Sequence, residues 1–318
     1  MSTPFFHVIY NPVAGSGNAK AVWNVISKAL VERDVQFALY ESQYPRHTVL
    51  LAQQIAKTEA AKGSIVLVIG GDGTLNEAIT GLHLSGNPYN LPIAYIPGGS
   101  GNDFARGVHL SRKPLEALDQ VLTADKPVAM DIGQYVELQS GKRGFFVNNF
   151  GIGFDAAVVN AANHATSKFL LNTLHMGSLA YMAQVIRILT RRKPFPVEVS
   201  ANGKTERIND AYLCTTTNHP YFGGGVRILP GAVPNDGELD LIVVDRPNLV
   251  TFATQAIASI MGKPVKSPSR HHVRAPRFEI STPSKEFAQI DGEDMEEQPY
   301  RIEISVGHQD FWFVPQKA

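Results

Sequence analysis

The residues best suited to chemistry are Gly70-Gly71-Asp72-Gly73-Thr74, which directly follow a continuous apolar run at residues 65–69. Three glycines within four residues let consecutive backbone N–H groups converge, and a helix opening behind them adds partial positive charge. Together these make an anion site. An aspartate inside such a turn repels a phosphate unless a divalent cation lies between them, so the composition asks for a metal–nucleotide. Glycine-rich turns also arise from packing alone, and Asp-Gly is a common turn pair. Recurrence weighs against that alternative. Asn11-Pro12-Val13-Ala14-Gly15-Ser16-Gly17 and Gly98-Gly99-Ser100-Gly101-Asn102-Asp103 repeat the pattern.

The elements that must position these turns follow from hydrophobic periodicity. Strands are expected at residues 6–10, 35–40, 65–69 and 92–97. One helix is expected to bury Val22, Val25, Ile26, Ala29 and Leu30, and a second to run over residues 48–62. A third opens at Thr74 through a Thr-x-x-Glu capping box with Glu77, and buries Leu75, Ala78, Ile79 and Leu82. Alternating strands and helices imply a parallel sheet covered on both faces, with ligands beyond the carboxyl ends of its strands. Three of the four strands end in glycine turns, so all three turns should share one rim.

The texture changes after Asp131. Strands are expected at residues 145–150, 197–201, 204–208, 211–217, 239–244, 278–281, 287–290 and 300–306, with a hairpin at Asn202-Gly203. The expected fold class is therefore α/β plus β. A doubly wound parallel domain (residues 1–131) precedes an antiparallel, sandwich-like domain (residues 132–307), and the final stretch, 308–318 with Phe311 to Val314, is open to either domain, completion of the first being one option. Residues 169–186 carry no formal charge, yet Asn172, Thr173, His175, Ser178 and Gln184 interrupt them. Met182, Val185, Ile186 and Leu189 form one helical stripe, so an amphipathic helix is expected there, not a membrane span.

Composition narrows the function. Lys plus Arg and Asp plus Glu number 29 each, so no global basic footprint supports nucleic-acid binding. The single cysteine, Cys214, excludes an intramolecular disulfide and lies in an apolar run as a core residue. Residues 1–7 lack the basic start and apolar stretch of a signal peptide, which favours a cytoplasmic location.

Taken in order, Asn11-Pro12-x-x-Gly15, Gly70 to Glu77, Pro97-x-Gly99-Ser100-x-Asn102-Asp103-Phe104-Ala105-Arg106, Phe222-Gly223-Gly224-Gly225, Asp236-Gly237 and Asp291-Gly292-Glu293 resemble the diacylglycerol kinase catalytic-domain family. The likeness runs over nearly the whole chain and is nearest to soluble bacterial lipid kinases. It implies ATP- and Mg²⁺-dependent transfer of the γ-phosphoryl group to a lipid hydroxyl such as that of diacylglycerol. Under the resemblance, Asn11, Pro12, Val13, Ala14, Gly15, Gly70, Gly71, Asp72, Gly73, Thr74, Leu75, Asn76 and Ser100 form the nucleotide pocket. Asp72 would face Mg²⁺, and Asp131 would join the metal and water network. Glu293 matches the position that accepts the hydroxyl proton, a role suited to a placed carboxylate. A second Mg²⁺ position is implied at Asp236, with backbone carbonyls at Val233 and Glu238. The family often carries Lys just after the first turn, where this chain has Ser16 and Asn18, with Lys20 the nearest base.

The active site is expected in a cleft between the glycine-rich edge and the β-rich domain. Arg191, Arg192, Lys193, Arg270, His271, His272, Arg274 and Arg277 form a candidate patch for peripheral attachment to anionic membrane, where the lipid substrate lies. Oligomeric state is left open, a homodimer being one option. Two alternatives stand beside the lipid kinase: a NAD or other small-molecule kinase on the same turn, and a nucleotide- or lipid-binding module without turnover.

Overall fold

The computed structural model describes residues 4–163, 187–188, 190–245, 251 and 270–316. The chain forms two compact units: Met1–Ile132 with His219–Gly237 and Gly307–Ala318, and Gly133–Asn218 with Glu238–Val306.

The first unit is built on four parallel strands, β1 (Phe6–Tyr10), β2 (Phe37–Glu41), β3 (Ile65–Gly70) and β4 (Ile93–Pro97), in the order β2-β1-β3-β4. β1, β3 and β4 are buried along their whole length, as continuous apolar strands covered on both faces should be. The helices are α1 (Asn18–Glu32), α2 (His47–Lys57), α3 (Asp72–Leu84), α4 (Asp103–Gly107) and α5 (Pro114–Leu122). Right-handed crossovers put α1 on one face and α2 and α3 on the other. Accordingly α1 packs with α5, and α2 with α3. The winding direction reverses between β1 and β3, where open α/β sheets bind their ligands. A late segment completes the unit. Phe311 pairs in parallel with Ile93, and its ring lies 4.7 Å from that of Phe104. Gln120 and Val314 exchange hydrogen bonds of 2.8 and 2.9 Å.

The second unit is antiparallel. β5 (Val128–Glu137) enters it and pairs with β6 (Arg143–Phe146). β7 (Asn149–Gly153), α6 (Phe154–Asn163), β8 (Phe195–Ala201) and β9 (Lys204–Thr217) follow. A two-stranded hairpin of the first unit, β10 (Tyr221–Phe222) and β11 (Val226–Arg227), interrupts the series. β12 (Leu239–Asp245), β13 (Arg270–Ala275), β14 (Arg277–Glu286), β15 (Ala288–Ile290), β16 (Glu293–Asp294) and β17 (Gln298–Phe311) complete it. The first half of β9 pairs with β8, and its second half with β7 and β12. Phe146, Phe150, Phe195, Phe278, Tyr300 and Ile302 anchor the core. Asn202 and Gly203, at φ 51° and 72°, make the expected β8–β9 hairpin turn.

Several expectations are corrected. Val25 is 43 % exposed, and Ala19 takes its place on the buried face of α1. The helix expected over residues 48–62 ends at Lys57, and a separate 3₁₀ turn covers Glu59–Ala61. The strand expected at 145–150 breaks between β6 and β7, because Asp291 takes the N–H groups of Val147, Asn148 and Asn149. The amphipathic stripe at Met182, Val185, Ile186 and Leu189 lies outside the described residues. Among the described residues, no helix is long and apolar enough to cross a membrane.

Candidate active site

The three glycine turns of the first unit leave the carboxyl ends of β1, β3 and β4 and touch one another. The Asn11 N–H donates to Ile69 O at 3.1 Å, tying the first turn to β3. Its side chain joins the turn to α3: Nδ2 donates to Thr74 Oγ1 at 3.1 Å, while Oδ1 accepts the Val13 N–H at 3.2 Å. Asn18 Nδ2 donates to Gly98 O at 3.2 Å, binding the first turn to the third. Gly15 sits at φ 60°, and a Cβ there would lie 2.4 Å from Gly98 O. The Gly98 N–H donates to Gly70 O at 2.6 Å, and a Cβ on Gly99 would come within 2.5 Å of Gly71 Cα. Only glycine allows this approach.

The expected capping box does not form. α3 begins at Asp72 behind an extended Gly71, with no side-chain cap. Thr74 is buried against Gly70 with its hydroxyl held by Asn11, while Glu77 Oε1 accepts the Arg46 N–H at 3.1 Å. Leu75 is a core residue whose N–H donates to Gly71 O at 3.1 Å. Asn76 Oδ1 accepts from Thr80 Oγ1 at 3.3 Å. Val13 and Ser100 are exposed, while Pro12, Ala14 and Gly73 are half-buried.

Acidic groups line the same rim. Asp72 Oδ2 accepts the Asp103 N–H at 2.9 Å, and the Asp103 carboxylate accepts the Gly224 N–H at 2.7 Å. Arg106 Nε stands 3.6 Å from Asp103 Oδ1. Burial raises the Asp103 pKa even though Gly224, Arg106 and Gly225 oppose it. Tyr95 is fully buried with its hydroxyl 3.2 Å from Gly70 O and 3.3 Å from Asn102 Oδ1. Burial, then Asp72, pushes that hydroxyl well above its ordinary pKa, so it stays a neutral donor. Asn102, at φ 54°, closes the third turn on itself through the Gly99 N–H (3.0 Å) and Gly99 O (2.8 Å). The roles of Asp103, Asn102 and Tyr95 were not assigned from sequence. The signal available for Asn102 was its type, since Asn tolerates the left-handed conformation.

Asp131 is buried beneath the loop that carries Asp236. Its N–H donates to Pro234 O at 2.8 Å, its Oδ2 accepts the Gly237 N–H at 2.8 Å, and His308 Nδ1 lies 3.0 Å from Oδ1. Asp131 thus shapes the 234–237 loop. Asp236 and Val233 are exposed there, and the Glu238 carboxylate, in the second unit, meets Arg274 at 3.2 Å.

His219 opens the same segment, with its ring packed on Gly107. Its Nδ1 accepts the Tyr221 N–H at 3.2 Å, and burial pushes its pKa down from 6.5 to about 3. The unfolded chain therefore binds the extra proton between those values. His219's contribution to stability is complete above pH 6.5 and is lost as pH falls toward 3. At about 1.4 kcal/mol per pH unit, roughly 2 kcal/mol should disappear between pH 6.5 and 5. His219→Asn keeps an acceptor for Tyr221 but removes the titration. Chemical denaturation at both pH values should show a shallower loss in the variant, and equal slopes would refute the assignment.

In the second unit, Asp291 accepts three N–H groups, from Val147 and Asn148 at 2.8 Å and from Asn149 at 3.0 Å. This clamp holds the turn at Asp291 (φ 50°) and Gly292, after which Glu293 begins β16 opposite Ile290. Glu293 is exposed.

Part of the basic patch meets acidic residues within its own unit. Arg192 pairs with Glu286 and lies over Phe287, and Arg277 pairs with Glu303. His271 meets Glu206 and Asp245, His272 meets Asp240 at 2.6 Å, and Arg274 meets Glu238 and Asp240. Asp240 of β12 stands opposite Arg274 of β13 in the ladder.

Residues 6–135 match the diacylglycerol kinase catalytic domain, and residues 148–308 match the YegS C-terminal NAD kinase beta sandwich-like domain. Diacylglycerol kinase of Bacillus subtilis (strain 168) is 30 % identical over 293 residues, covering 90 % of this chain and 88 % of that protein. The chain belongs to the diacylglycerol kinase family. A second B. subtilis protein, YtlR, is 29 % identical over 308 residues, or 96 % of this chain and 97 % of its own. A crystal structure of a diacylglycerol kinase from Bacillus anthracis str. Sterne superposes with a TM-score of 0.72 at 24 % identity, covering 98 % of each chain, and supports the fold. Membership in this family of lipid kinases implies use of ATP.

Proposed function

We propose that this diacylglycerol kinase family member transfers the γ-phosphoryl group of ATP to the hydroxyl of diacylglycerol or a related lipid alcohol. The carrying observation is the mutual contact of the three glycine turns in the first unit, at distances only glycine permits. Phosphoryl transfer needs mainly positioning and neutralisation of charge, which converging backbone amides supply. The first unit would hold the nucleotide through Asn11 to Gly15, Gly70 to Asn76 and Ser100, and the second the lipid. Glu293 would accept the hydroxyl proton as the oxygen attacks phosphorus.

The donor set fits Mg²⁺. Asp72 and Asp103 bring hard carboxylate oxygens to the rim, and Asp236 with the Val233 and Glu238 carbonyls offers a second oxygen set. Among the described residues, no three His, Cys, Asp or Glu side chains cluster as a closed metal cage. A shell completed by phosphate and water oxygens is the habit of Mg²⁺. When bound, the ion would neutralise phosphate charge beside Asp72. Asp131 would act by holding the 234–237 loop. The proposed lipid substrate would bring the enzyme to a membrane surface.

The test is phosphorylation from radiolabelled ATP, with mixed lipid vesicles, NAD or neither as acceptor. Labelled phospholipid is expected. Labelled NADP would replace the proposal with the small-molecule kinase, and nucleotide binding without turnover would replace it with the binding module.

A further inference from the structure

A buried polar network underlies the Asp291-Gly292-Glu293 turn. Thr215 on β9, Gly151 on β7 and Gln289 on β15 stand in register in one rung across three strands, so their side-chain positions share a face. Gly151 occupies the middle, where a Cβ would lie 1.7 Å from Asp155 Oδ2 and 2.7 Å from Gln289 Nε2. The gap left by glycine admits the Asp155 carboxylate from α6. Gln289 Nε2 donates to Asp155 Oδ2 at 3.1 Å and also to Asn149 Oδ1, while Thr215 Oγ1 donates to the same Asp155 oxygen at 3.2 Å. The other end of the amide faces the turn: Gln289 Oε1 accepts the Gly292 N–H at 3.0 Å. Two acceptors at Nε2 and one donor at Oε1 fix which way the amide points. Gln289, Asn149, Asp155 and Thr215 are all buried, at 5 % exposure or less. Asp155 Oδ1 finds no hydrogen-bond partner among the described residues, but its Oδ2 takes two donors, and hydrogen bonds in a low-dielectric interior are strengthened and hold Gln289 in place. The Gln289 link ends on the N–H of Gly292, the residue directly before Glu293.

We propose that Gln289, braced by Asp155, Asn149 and Thr215, is a positioning residue that sets Glu293 for proton acceptance. The proposal rests on the role given to Glu293 above. Asp291 holds the near side of the turn through three amides, and Gln289 holds the far side through Gly292. Loss of Gln289 leaves Glu293 present but loosely aimed, and misplacement of about 1 Å can cost about a hundredfold in rate.

The test is a double-mutant cycle on the full chain, with radiolabelled ATP and vesicles containing diacylglycerol. Gln289→Met is expected to lower kcat about 10- to 100-fold with KM for ATP unchanged. In the Glu293→Gln background, the same change should lower kcat no further, because both act through one carboxylate. Losses that multiply, or a KM for ATP that rises with the loss of kcat, overturn the proposal while leaving the role of Glu293 standing. A Glu293→Gln variant as fast as the parent removes that role, and the proposal with it. If Gln289→Met does not fold, Thr215→Val goes through the same cycle. A loss of roughly 3- to 10-fold that vanishes in the Glu293→Gln background supports the network, and an unchanged kcat overturns it.

Discussion

Glu293→Gln is expected to reduce lipid phosphorylation by ~10²–10⁴-fold while leaving the affinity for ATP within about twofold. The substitution keeps the size and polarity of the side chain and removes only its ability to take a proton. A lipid hydroxyl is a weak nucleophile, and without a placed acceptor its proton must leave to water. The Asp291 carboxylate and the Gly292 N–H hold the turn through hydrogen bonds that do not involve the Glu293 side chain, so the β15–β16 pairing should persist. The residues proposed to hold the nucleotide belong to the other unit, which separates the two readouts. Initial rates with radiolabelled ATP, beside titration with a non-hydrolysable ATP analogue, check both halves. Unchanged turnover would remove Glu293 from the chemistry, and lost nucleotide affinity would make it a structural residue.

Gly15→Ala should act on the opposite side of that divide. Alanine at φ 60° carries about 1–2 kcal/mol of backbone strain. Its Cβ would meet the Gly98 carbonyl at 2.4 Å, and since the obstacle is backbone, the third turn must move. Forced shifts in packed structure cost about 1–3 kcal/mol more. If the strain is relieved by pulling the two turns apart, ATP affinity should fall by at least about 30-fold. Gly17→Ala is the control, because Gly17 has φ 90° with nothing within 4 Å of a built Cβ. It carries strain without collision and should weaken binding far less. Equal affinities of the two variants for an ATP analogue would show that contact between the first and third turns is irrelevant to nucleotide binding.

The rim was legible because its signal is local. An apolar strand, a glycine turn and a periodic helix occur together within twenty residues, and the crossover rule then places all such turns on one edge. Thr74 shows where local signals mislead. Its spacing to Glu77 satisfies a capping box, but a partner 63 residues earlier, Asn11, claims the hydroxyl. The clamp at Asp291 and the Gln289 network were hidden for the same reason, since their partners lie 134 to 144 residues away. An acidic run from Asp291 to Glu297 reads as a solvated loop until the three amides of β7 and its approach are found around its first member. Asp240 becomes visible as the partner of Arg274 only once the β12–β13 register is known.

The three-part makeup of the first unit has a consequence for how the protein is made. Its sheet edge at β4 awaits Phe311 and Trp312, and its α5 awaits Val314, so a nascent chain that has already produced every glycine of the rim still lacks the segment that closes it. All of the second unit must leave the ribosome first. The first unit should therefore reach its final stability late in synthesis, and fragments ending near Ile132 should expose Phe104 and aggregate.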